Sequence, residues 1–319
     1  MRVIVINAYF GRMPPYFVNF LASCAKNSRV EFLFFGDFTP PQGMPANVQF
    51  VTTTFKELAA RFQSNFNFPI ALRSPYKLCD FRPAFGKIFA PELKGCDWWG
   101  HCDFDMVFGD LTPVLDVARS TKYVKIFRRG HFTLYKNDPV VNAAYELPGG
   151  VRDYRAAFST DDSVAFDETN GIDVIFRENN LSVCRAEMIA DISPRSPFLY
   201  ITRHPNRWGQ LFVWRDGRLF CDAGDGLQRE YVYIHLQKRR FSRSPVRLPG
   251  DQSPFVISQF GLFDLSREGD YRWLSLLSHL PNVAHSYRYY AQAVRKKLAT
   301  LLGSSRLMSA RNPGGRPGE

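Results

Sequence analysis

The chain has 319 residues, with 41 Lys and Arg against 30 Asp and Glu, which gives a formal net charge of +11. Hydrophobic residues make up 45% and charged residues 22%, and the 29 Phe, 14 Tyr and 5 Trp exclude disorder over the whole chain. No run of 18 apolar residues occurs, so we expect no transmembrane helix. The N-terminal apolar stretch is too short for a secretory signal, which favours a cytoplasmic protein.

Short apolar runs alternate with amphipathic segments at the start of the chain. Val3–Ile6 predicts a buried strand, and YFVNFLASCAKN then places its apolar side chains on one helical face. VEFLFFGD and VQFVTTT predict two more strands, and FKELAARFQSNF predicts a helix with Thr54 as its N-cap. The alternation predicts an α/β fold with a mostly parallel sheet. Such a sheet binds ligands near the carboxyl ends of its strands.

The middle of the chain holds its most informative stretch. A helix begins near Ser74 and is interrupted around Pro83, and Trp98–His101 then predicts a short strand. Two aspartates, Asp103 and Asp105, follow that strand directly, and residues 140–172 are polar and typical of loops.

The second half predicts a β-hairpin turned at Asp216-Gly217, a strand in EYVYIHLQ and a helix from Ser286. Residues 304–319 are typical of a disordered tail. We therefore expect a catalytic domain over 1–285 and a basic helix with a tail over 286–319.

The cysteines form no C-x-x-C pair, so their spacing does not support a zinc site. In a chain without a secretory signal we expect reduced, partly buried thiols. The six are Cys24, Cys79, Cys96, Cys102, Cys184 and Cys221.

The pair Asp103-x-Asp105 places two carboxylates on one side of an extended segment. Two neighbouring carboxylates repel each other unless a cation lies between them, and Mg²⁺ or Mn²⁺ binds both carboxylates and phosphates. The pair therefore predicts a metal that bridges the protein and a diphosphate. The alternative is a solvated turn, since the bare pattern is common.

His235 ends the strand EYVYIHLQ and is followed by a basic run. Its neutral imidazole could be a third metal ligand, and Lys238 and Arg239 could neutralise a diphosphate. The alternative is a strand-end histidine beside a solvated basic turn. Likewise, Arg128-Arg129 could bind an anionic acceptor or form a solvated turn.

Four segments taken together resemble GT-A-fold glycosyltransferases: KLCDFRPAFGKIF, GCDWWGHCDFDMVFGDL, GHFTLYKN and EYVYIHLQKR. The sequence is most similar to uncharacterised sugar transferases of bacterial surface-polysaccharide synthesis. It is more distantly similar to retaining families with S/K-x-x-D-x-x-R before the strand. The resemblance covers about residues 1–240. It implies a GT-A-like (Rossmann-like) α/β fold with a mixed, mostly parallel sheet flanked by helices. It also implies a metal-dependent hexosyltransferase that uses a nucleotide-sugar, expected to be a UDP-sugar.

The resemblance also implies roles for individual residues. Asp103, Asp105 and His235 would hold Mn²⁺ or Mg²⁺, with Asp105 at the reacting centre. His131 and either Asp161 or Asp162 would lie near the donor sugar or the acceptor. The residues expected at the nucleotide, the donor sugar or its diphosphate are Lys77, Asp80, Arg82, Asp103, Lys238 and Arg239.

Breaking the bond to a nucleoside diphosphate builds negative charge on the leaving oxygen, which cations stabilise. An inverting enzyme also needs a carboxylate base, for which Asp161 and Asp162 are candidates. A retaining enzyme could use the leaving phosphate instead, and the distant resemblance favours retention. Two other interpretations remain open: a basic nucleic-acid-binding protein, motivated by a pI of about 9.4, and an inactive GT-A-like scaffold. No nucleic-acid-binding module is recognisable, so we expect no nucleic-acid partner.

The positive charge is concentrated at the end of the chain. Residues 286–319 carry seven Lys or Arg and one Glu, a net of +6, which leaves +5 for residues 1–285. This distribution predicts that 286–319 docks on an anionic membrane surface, where a glycan or lipid-linked glycan acceptor would lie. A cytoplasmic protein, peripheral on the inner face of the membrane, is the expectation.

Overall fold

The computed structural model describes residues 1–202, 204–222, 228–237, 239, 241, 251–265 and 268–309. These ranges contain the strands β1 (Val3–Tyr9), β2 (Val30–Gly36), β3 (Val48–Thr52), β4 (Trp98–Cys102), β5 (Met106–Phe108), β6 (Lys125–Arg129), β7 (Phe132–Lys136), β8 (Val183–Cys184), β9 (Ile189–Asp191), β10 (Leu211–Arg215), β11 (Arg218–Asp222), β12 (Gln228–Tyr231), β13 (Tyr233–His235), β14 (Phe255–Ser258) and β15 (Gly261–Asp264). They also contain the helices α1 (Phe17–Lys26), α2 (Phe55–Gln63), α3 (Leu78–Phe81), α4 (Phe85–Ile88), α5 (Thr112–Arg119), α6 (Pro139–Asn142), α7 (Tyr154–Phe158), α8 (Ile172–Glu178), α9 (Glu268–Ser278) and α10 (Val283–Ser309).

The central sheet has seven strands in the order β3-β2-β1-β4-β7-β6-β8. The pairings β1–β2, β2–β3, β1–β4 and β6–β8 are parallel, and β7 is antiparallel to both of its neighbours. Residues 3–6 of β1 are all buried, because the elements on both faces of the sheet cover this strand. The prediction of a mixed, mostly parallel sheet flanked by helices is confirmed.

Local sequence signals explain the flanking helices. In α1 the apolar side chains of Phe17, Phe20, Leu21 and Cys24 are buried against the sheet. At the start of α2 the Oγ1 of Thr54 accepts a hydrogen bond from the Glu57 amide at 3.2 Å, and the Glu57 carboxylate accepts one from the Thr54 amide at 2.8 Å. The predicted N-cap is thus confirmed. Five of the six cysteines are buried and one is half-buried, as expected.

Two further sheets belong to the second half of the chain. One has three strands in the order β5-β13-β9, and the other has five in the order β12-β11-β10-β14-β15. The hairpin between β10 and β11 turns at Asp216-Gly217, where φ is 53° and 80°, as a two-residue hairpin turn requires. This prediction is confirmed.

The segment EYVYIHLQ is two strands instead of the expected one. Tyr231 pairs with Leu219 in the five-stranded sheet, whereas Tyr233 pairs with Phe108 in the three-stranded sheet. The chain passes from one sheet to the other at Val232. Its side chains therefore pack into two different hydrophobic clusters. This change of sheet places His235 opposite Met106, the first residue of β5.

The last helix, α10, begins at Val283, three residues before the expected start, and continues to Ser309. It therefore includes residues 304–309, where we expect disorder; residues 310–319 lie outside the described residues. No helix in the part of the chain that the structure describes is long and apolar enough to cross a membrane.

Candidate metal centre

The Asp103–Asp105 segment connects β4 to β5 and is anchored by three other elements. The side chain of Asn7 on β1 donates to the carbonyl of Cys102, and the amide of Asp103 donates to the carbonyl of His131 at 2.9 Å. The carbonyl of Asp105 accepts from the amide of Leu236 at 2.7 Å. Both aspartates are therefore held at the carboxyl end of a buried strand, where parallel sheets form ligand sites.

His235 lies beside both aspartates because of strand pairing. In the antiparallel β5–β13 pair, His235 is opposite Met106, the residue after Asp105. Its Nε2 lies 3.6 Å from Oδ1 of Asp105 and 3.9 Å from Oδ2 of Asp103. The structure thus brings together the three residues predicted to hold a metal.

A fourth residue, Asp191, orients the imidazole of His235. The parallel β9–β13 pair places Asp191 next to His235, and its Oδ1 is 3.0 Å from Nδ1 of the ring. Gln237 also donates to this oxygen, at 2.8 Å, and Arg129 forms an ion pair with Oδ2. A carboxylate on one ring nitrogen directs the other nitrogen toward a metal, as is common around histidine ligands.

Negative charge surrounds His235 on three sides. Burial disfavours its charged form, but Asp105, Asp191 and Asp103 outweigh burial and raise the pKa of His235 to about 10. For Asp191, burial would raise the pKa, but the hydrogen bonds from His235 and Gln237 and the charge of His235 hold it at about 2. The cluster therefore favours a positive charge at this position, which a proton on His235 or a metal ion would supply.

Arg82 contacts the cluster of Asp103, Asp105, Asp191 and His235 through Asp103. Its guanidinium forms an ion pair with Oδ1 of Asp103 and another with Asp167 at 3.0 Å, and it donates to the carbonyl of Gly130 at 2.7 Å. Oδ2 of Asp103 therefore remains directed toward His235. Arg82 follows α3, at the interruption that Pro83 predicts in this helical segment.

Asp167 and Glu168 lie beside Arg82 and pack against Gly130. A Cβ at position 130 would collide with the Asp167 carboxylate, so the close approach requires glycine. Burial raises the pKa of Asp167 to about 7, although the charge of Arg82 opposes this shift. Burial also raises the pKa of Glu168.

The donor atoms of Asp103, Asp105 and His235 lie within 4.8 Å of one another, and two carboxylates with one imidazole suit Mn²⁺ or Mg²⁺. A second set of donors is His131, Asp191 and His235. In that set the two Asp191 oxygens already bind His235, Gln237 and Arg129. The first set fits a divalent cation better, because His235 turns its Nε2 toward both aspartates.

His131, expected near the donor sugar or the acceptor, stacks on His235 with ring centroids 4.1 Å apart. Its Nδ1 is 3.1 Å from the hydroxyl of Tyr233, and its Nε2 is 4.0 Å from Asp191. Burial lowers the pKa of His131, and the charges of His235 and Arg129 add to this effect. The neutral ring supports His235 from one face.

Lys77 and Asp80, expected at the nucleotide or donor sugar, form a buried ion pair with 2.7 Å between Nζ and Oδ2. Nζ also donates to the carbonyls of Ala157 and Asp162, and Asp80 accepts from the amides of Val164 and Phe166. Through these hydrogen bonds the pair holds the 157–166 segment against α3. A contact of Lys77 or Asp80 with a ligand stays a prediction.

The remaining candidates lie elsewhere. Asp161 forms an exposed ion pair with Arg73 at 2.8 Å, and Asp162 accepts from Lys77 through its carbonyl. Arg239 is buried and donates to the carbonyls of Phe198 and Ser196, at 3.1 and 2.5 Å. Lys238 lies outside the described residues.

Sequence reasoning did not propose Asp191 or Asp167 as site residues. The signal for Asp191 is a charged residue inside the apolar stretch MIADI, which a buried strand accepts only when a partner is present. Its partner His235 is 44 positions away, and only the β9–β13 pairing shows the contact.

Comparison with solved structures finds glycosyltransferases. The galactosyltransferase LgtC, in complex with donor and acceptor sugar analogs, has 12% identity and a TM-score of 0.33 over 60% of this chain and 75% of its own. Mouse xyloside xylosyltransferase 1 has 8% identity and a TM-score of 0.35 over 60% of this chain and 87% of its own. GlyE of Streptococcus pneumoniae TIGR4 has 11% identity and a TM-score of 0.37, and the match covers 92% of this chain and 64% of GlyE.

No curated protein matches the sequence. A family model does match, over residues 5–265, a range that includes both aspartates, Asp191 and His235. By this match the chain belongs to DUF6625, a family of unknown function.

Proposed function

We propose that the chain is a metal-dependent glycosyltransferase that transfers a sugar from a nucleotide-sugar, expected to be a UDP-sugar, to a bacterial surface glycan. One observation carries the proposal: two carboxylates at a strand end face an imidazole whose other nitrogen is held by a buried carboxylate. This arrangement suits a hard divalent cation, and such a cation binds diphosphates.

In this proposal Asp103, Asp105 and His235 hold Mn²⁺ or Mg²⁺. When bound, the ion supplies positive charge to the donor diphosphate and so stabilises the leaving group. Asp191 keeps Nε2 of His235 directed at the site, and Arg82 fixes the rotamer of Asp103 by binding its Oδ1. Both act before donor binding, so little reorganisation is needed during the reaction.

We further propose that sugar transfer retains the anomeric configuration. An inverting enzyme needs a carboxylate base within hydrogen-bond reach of the acceptor hydroxyl. Asp161, one candidate for that base, is exposed and paired with Arg73, while Asp103 and Asp191 are paired with arginines beside the proposed metal. The distant resemblance to retaining families supports a mechanism in which the leaving phosphate assists the acceptor.

A thermal-shift assay tests the proposal directly. UDP and UDP-sugars at about 100 times their Kd should raise the Tm by roughly 4 °C with Mn²⁺ present, because the ligand binds only the folded state. With EDTA in place of Mn²⁺ the shift should disappear. The proposal is wrong if no nucleotide or nucleotide-sugar changes the Tm with either cation. Submicromolar, salt-sensitive binding of mixed oligonucleotides would then favour the nucleic-acid alternative.

The helices α9 and α10 carry an exposed apolar stripe that we propose as a membrane contact. The exposed apolar residues of α10 recur every three or four positions, which places them on one face. They are Val283, Tyr287, Tyr290, Val294 and Leu298. The preceding helix and its end add Trp273, Leu276, Leu277 and Leu280. Arg288, Arg295 and Lys297 are exposed on the same helix, so α10 combines apolar and cationic groups for an anionic lipid surface.

Replacing Arg288, Arg295 and Lys297 by Gln is expected to weaken binding to phosphatidylglycerol vesicles about 100-fold, since each cation near such a surface contributes about 1 kcal/mol. Sedimentation with vesicles measures the change, with pure phosphatidylcholine vesicles as the neutral reference. Arg119→Gln, an exposed change on α5, serves as the control for altered net charge. Equal binding by the triple variant and the wild type would contradict the membrane contact.

A further inference from the structure

A small pocket lies beside the candidate metal centre, between β6 and the segment that contains β9. Its polar lining consists of Arg128, Arg129, Arg185, Glu187, Asp191 and His204, together with Thr202. Two of these residues, Arg129 and Asp191, also belong to the cluster around His235. The pocket and the proposed metal site therefore share a wall.

A bulge in β6 brings two consecutive arginines into the lining. The β6–β7 ladder is regular at Lys125 and Ile126 and then shifts register before Arg129. Phe127 in this bulge has a φ of 67°, a left-handed conformation that is strained for a bulky residue. In a regular strand Arg128 and Arg129 would point to opposite faces, whereas bulges redirect side chains.

The burial of Phe127 maintains this conformation. Its side chain is 2% exposed, and its ring lies 5.7 Å from that of Phe132 and 5.8 Å from that of Tyr233. Tyr233 in turn lies two residues before His235 on β13. The same packing that positions the metal-site strand thus holds the bulge and the arginine pair.

Two arginines of the pocket are open to solvent. Three arginines and two carboxylates line it, and Asp173, just outside the lining, pairs with the third arginine, so the charges of the group balance. Arg128 lies 3.4 Å from Glu187 and Arg185 lies 3.2 Å from Asp173, and each of these pairs involves one guanidinium nitrogen. The side chains of Arg128 and Arg185 are 27% and 38% exposed, so their planar donor groups can reach a second anion.

We propose that this pocket is an acceptor subsite that binds one anionic group, a carboxylate or a phosphate, of an acidic glycan. The inference rests on the proposed glycosyltransferase function, since it places the acceptor next to the donor site. The enclosed part of the pocket has room for about one water molecule, so the charged group would bind at its open mouth, beside Arg128 and Arg185. Because Arg129 and Asp191 form the shared wall, the anion would lie beside the proposed metal centre.

Glucuronic acid, glucose 6-phosphate and neutral glucose are suitable probes, with binding to the full chain measured by saturation-transfer NMR. The two acidic probes distinguish a carboxylate from a phosphate ligand. At least one of them is expected to bind about tenfold more tightly than glucose. The variant Arg128→Gln with Arg185→Gln should abolish this preference, and Arg128→Gln alone should reduce it. Arg119→Gln, which removes the same charge from the surface of α5, should leave it unchanged.

The inference is overturned if neither acid binds better than glucose, or if Arg119→Gln weakens binding as much as Arg128→Gln does. It is also overturned if the double variant loses Mn²⁺-dependent UDP binding equally, since the pocket would then hold the donor diphosphate. Failure of the proposed function has a different signature: UDP does not bind with Mn²⁺ although an acidic sugar binds through Arg128.

Discussion

Asp105→Asn is expected to lower metal-dependent turnover of the nucleotide-sugar by about 10²- to 10³-fold. The change keeps the shape of the side chain but removes a negative charge from the pair that faces His235. Affinity for Mn²⁺ should fall as well, because the remaining ligands are one carboxylate and one imidazole. Donor hydrolysis and calorimetric Mn²⁺ titration of the same preparation measure the two effects.

Asp110→Asn is a matched control for this experiment. It makes the same chemical change five residues along, after β5, where Asp110 accepts a hydrogen bond from the Thr112 amide outside the cluster. A third variant, Asp191→Asn, keeps the three proposed ligands but weakens the contacts of Asp191 with His235, Gln237 and Arg129. It should weaken Mn²⁺ binding by about 10- to 100-fold. If Asp105→Asn binds Mn²⁺ and UDP as tightly as Asp110→Asn does, the assigned metal site is wrong.

Asp80→Asn is expected to destabilise the protein by about 3–5 kcal/mol, because it leaves the ammonium of Lys77 buried without its carboxylate partner. For a chain of this size that corresponds to a fall in Tm of roughly 5 °C. Differential scanning calorimetry measures the change. Pairing Asp80→Asn with Lys77→Met should recover part of the loss, since no unpaired charge then remains.

The control is Asp116→Asn, which breaks an ion pair with the same spacing of three residues on the surface of α5. An exposed pair of this kind contributes about 0–1 kcal/mol, so its Tm should hardly change. The experiment also separates two roles for Asp80. An unchanged Tm together with lost donor affinity would favour the ligand contact that the family resemblance implies. A lower Tm with normal affinity in the folded fraction would show a structural role.

Much of the fold follows from short-range signals. The β-branched run at Val3–Ile6, the apolar face of α1 and the Thr54 cap each depend on neighbours within a few residues. The central sheet is mostly parallel for the same reason, because strands and helices alternate along the chain. Asp103 and Asp105 were identifiable from sequence because both follow one strand directly.

The rest of the site depends on strand pairing across long sequence distances. Asp191 reaches His235 through the β9–β13 pairing, and His235 reaches Asp105 through the β5–β13 pairing. Neither pairing has a local signal, since strand register is decided by packing of the whole sheet. The change of sheet at Val232 also has no local signal. The side chains alternate between the two faces of a strand in both halves of EYVYIHLQ, but the two halves belong to different sheets.

The two oxygens of Asp191 serve different neighbours. Oδ1 binds the imidazole of His235, and Oδ2 binds Arg129, which lines the adjoining pocket. A ligand that draws Arg129 away would change how firmly Asp191 holds the imidazole, and a cation at His235 would change how Asp191 holds Arg129. If a cation binds at His235 and an anion binds in the pocket, thermodynamic linkage requires each to change the binding free energy of the other by the same amount. Asp191 would then couple the two sites through a single carboxylate.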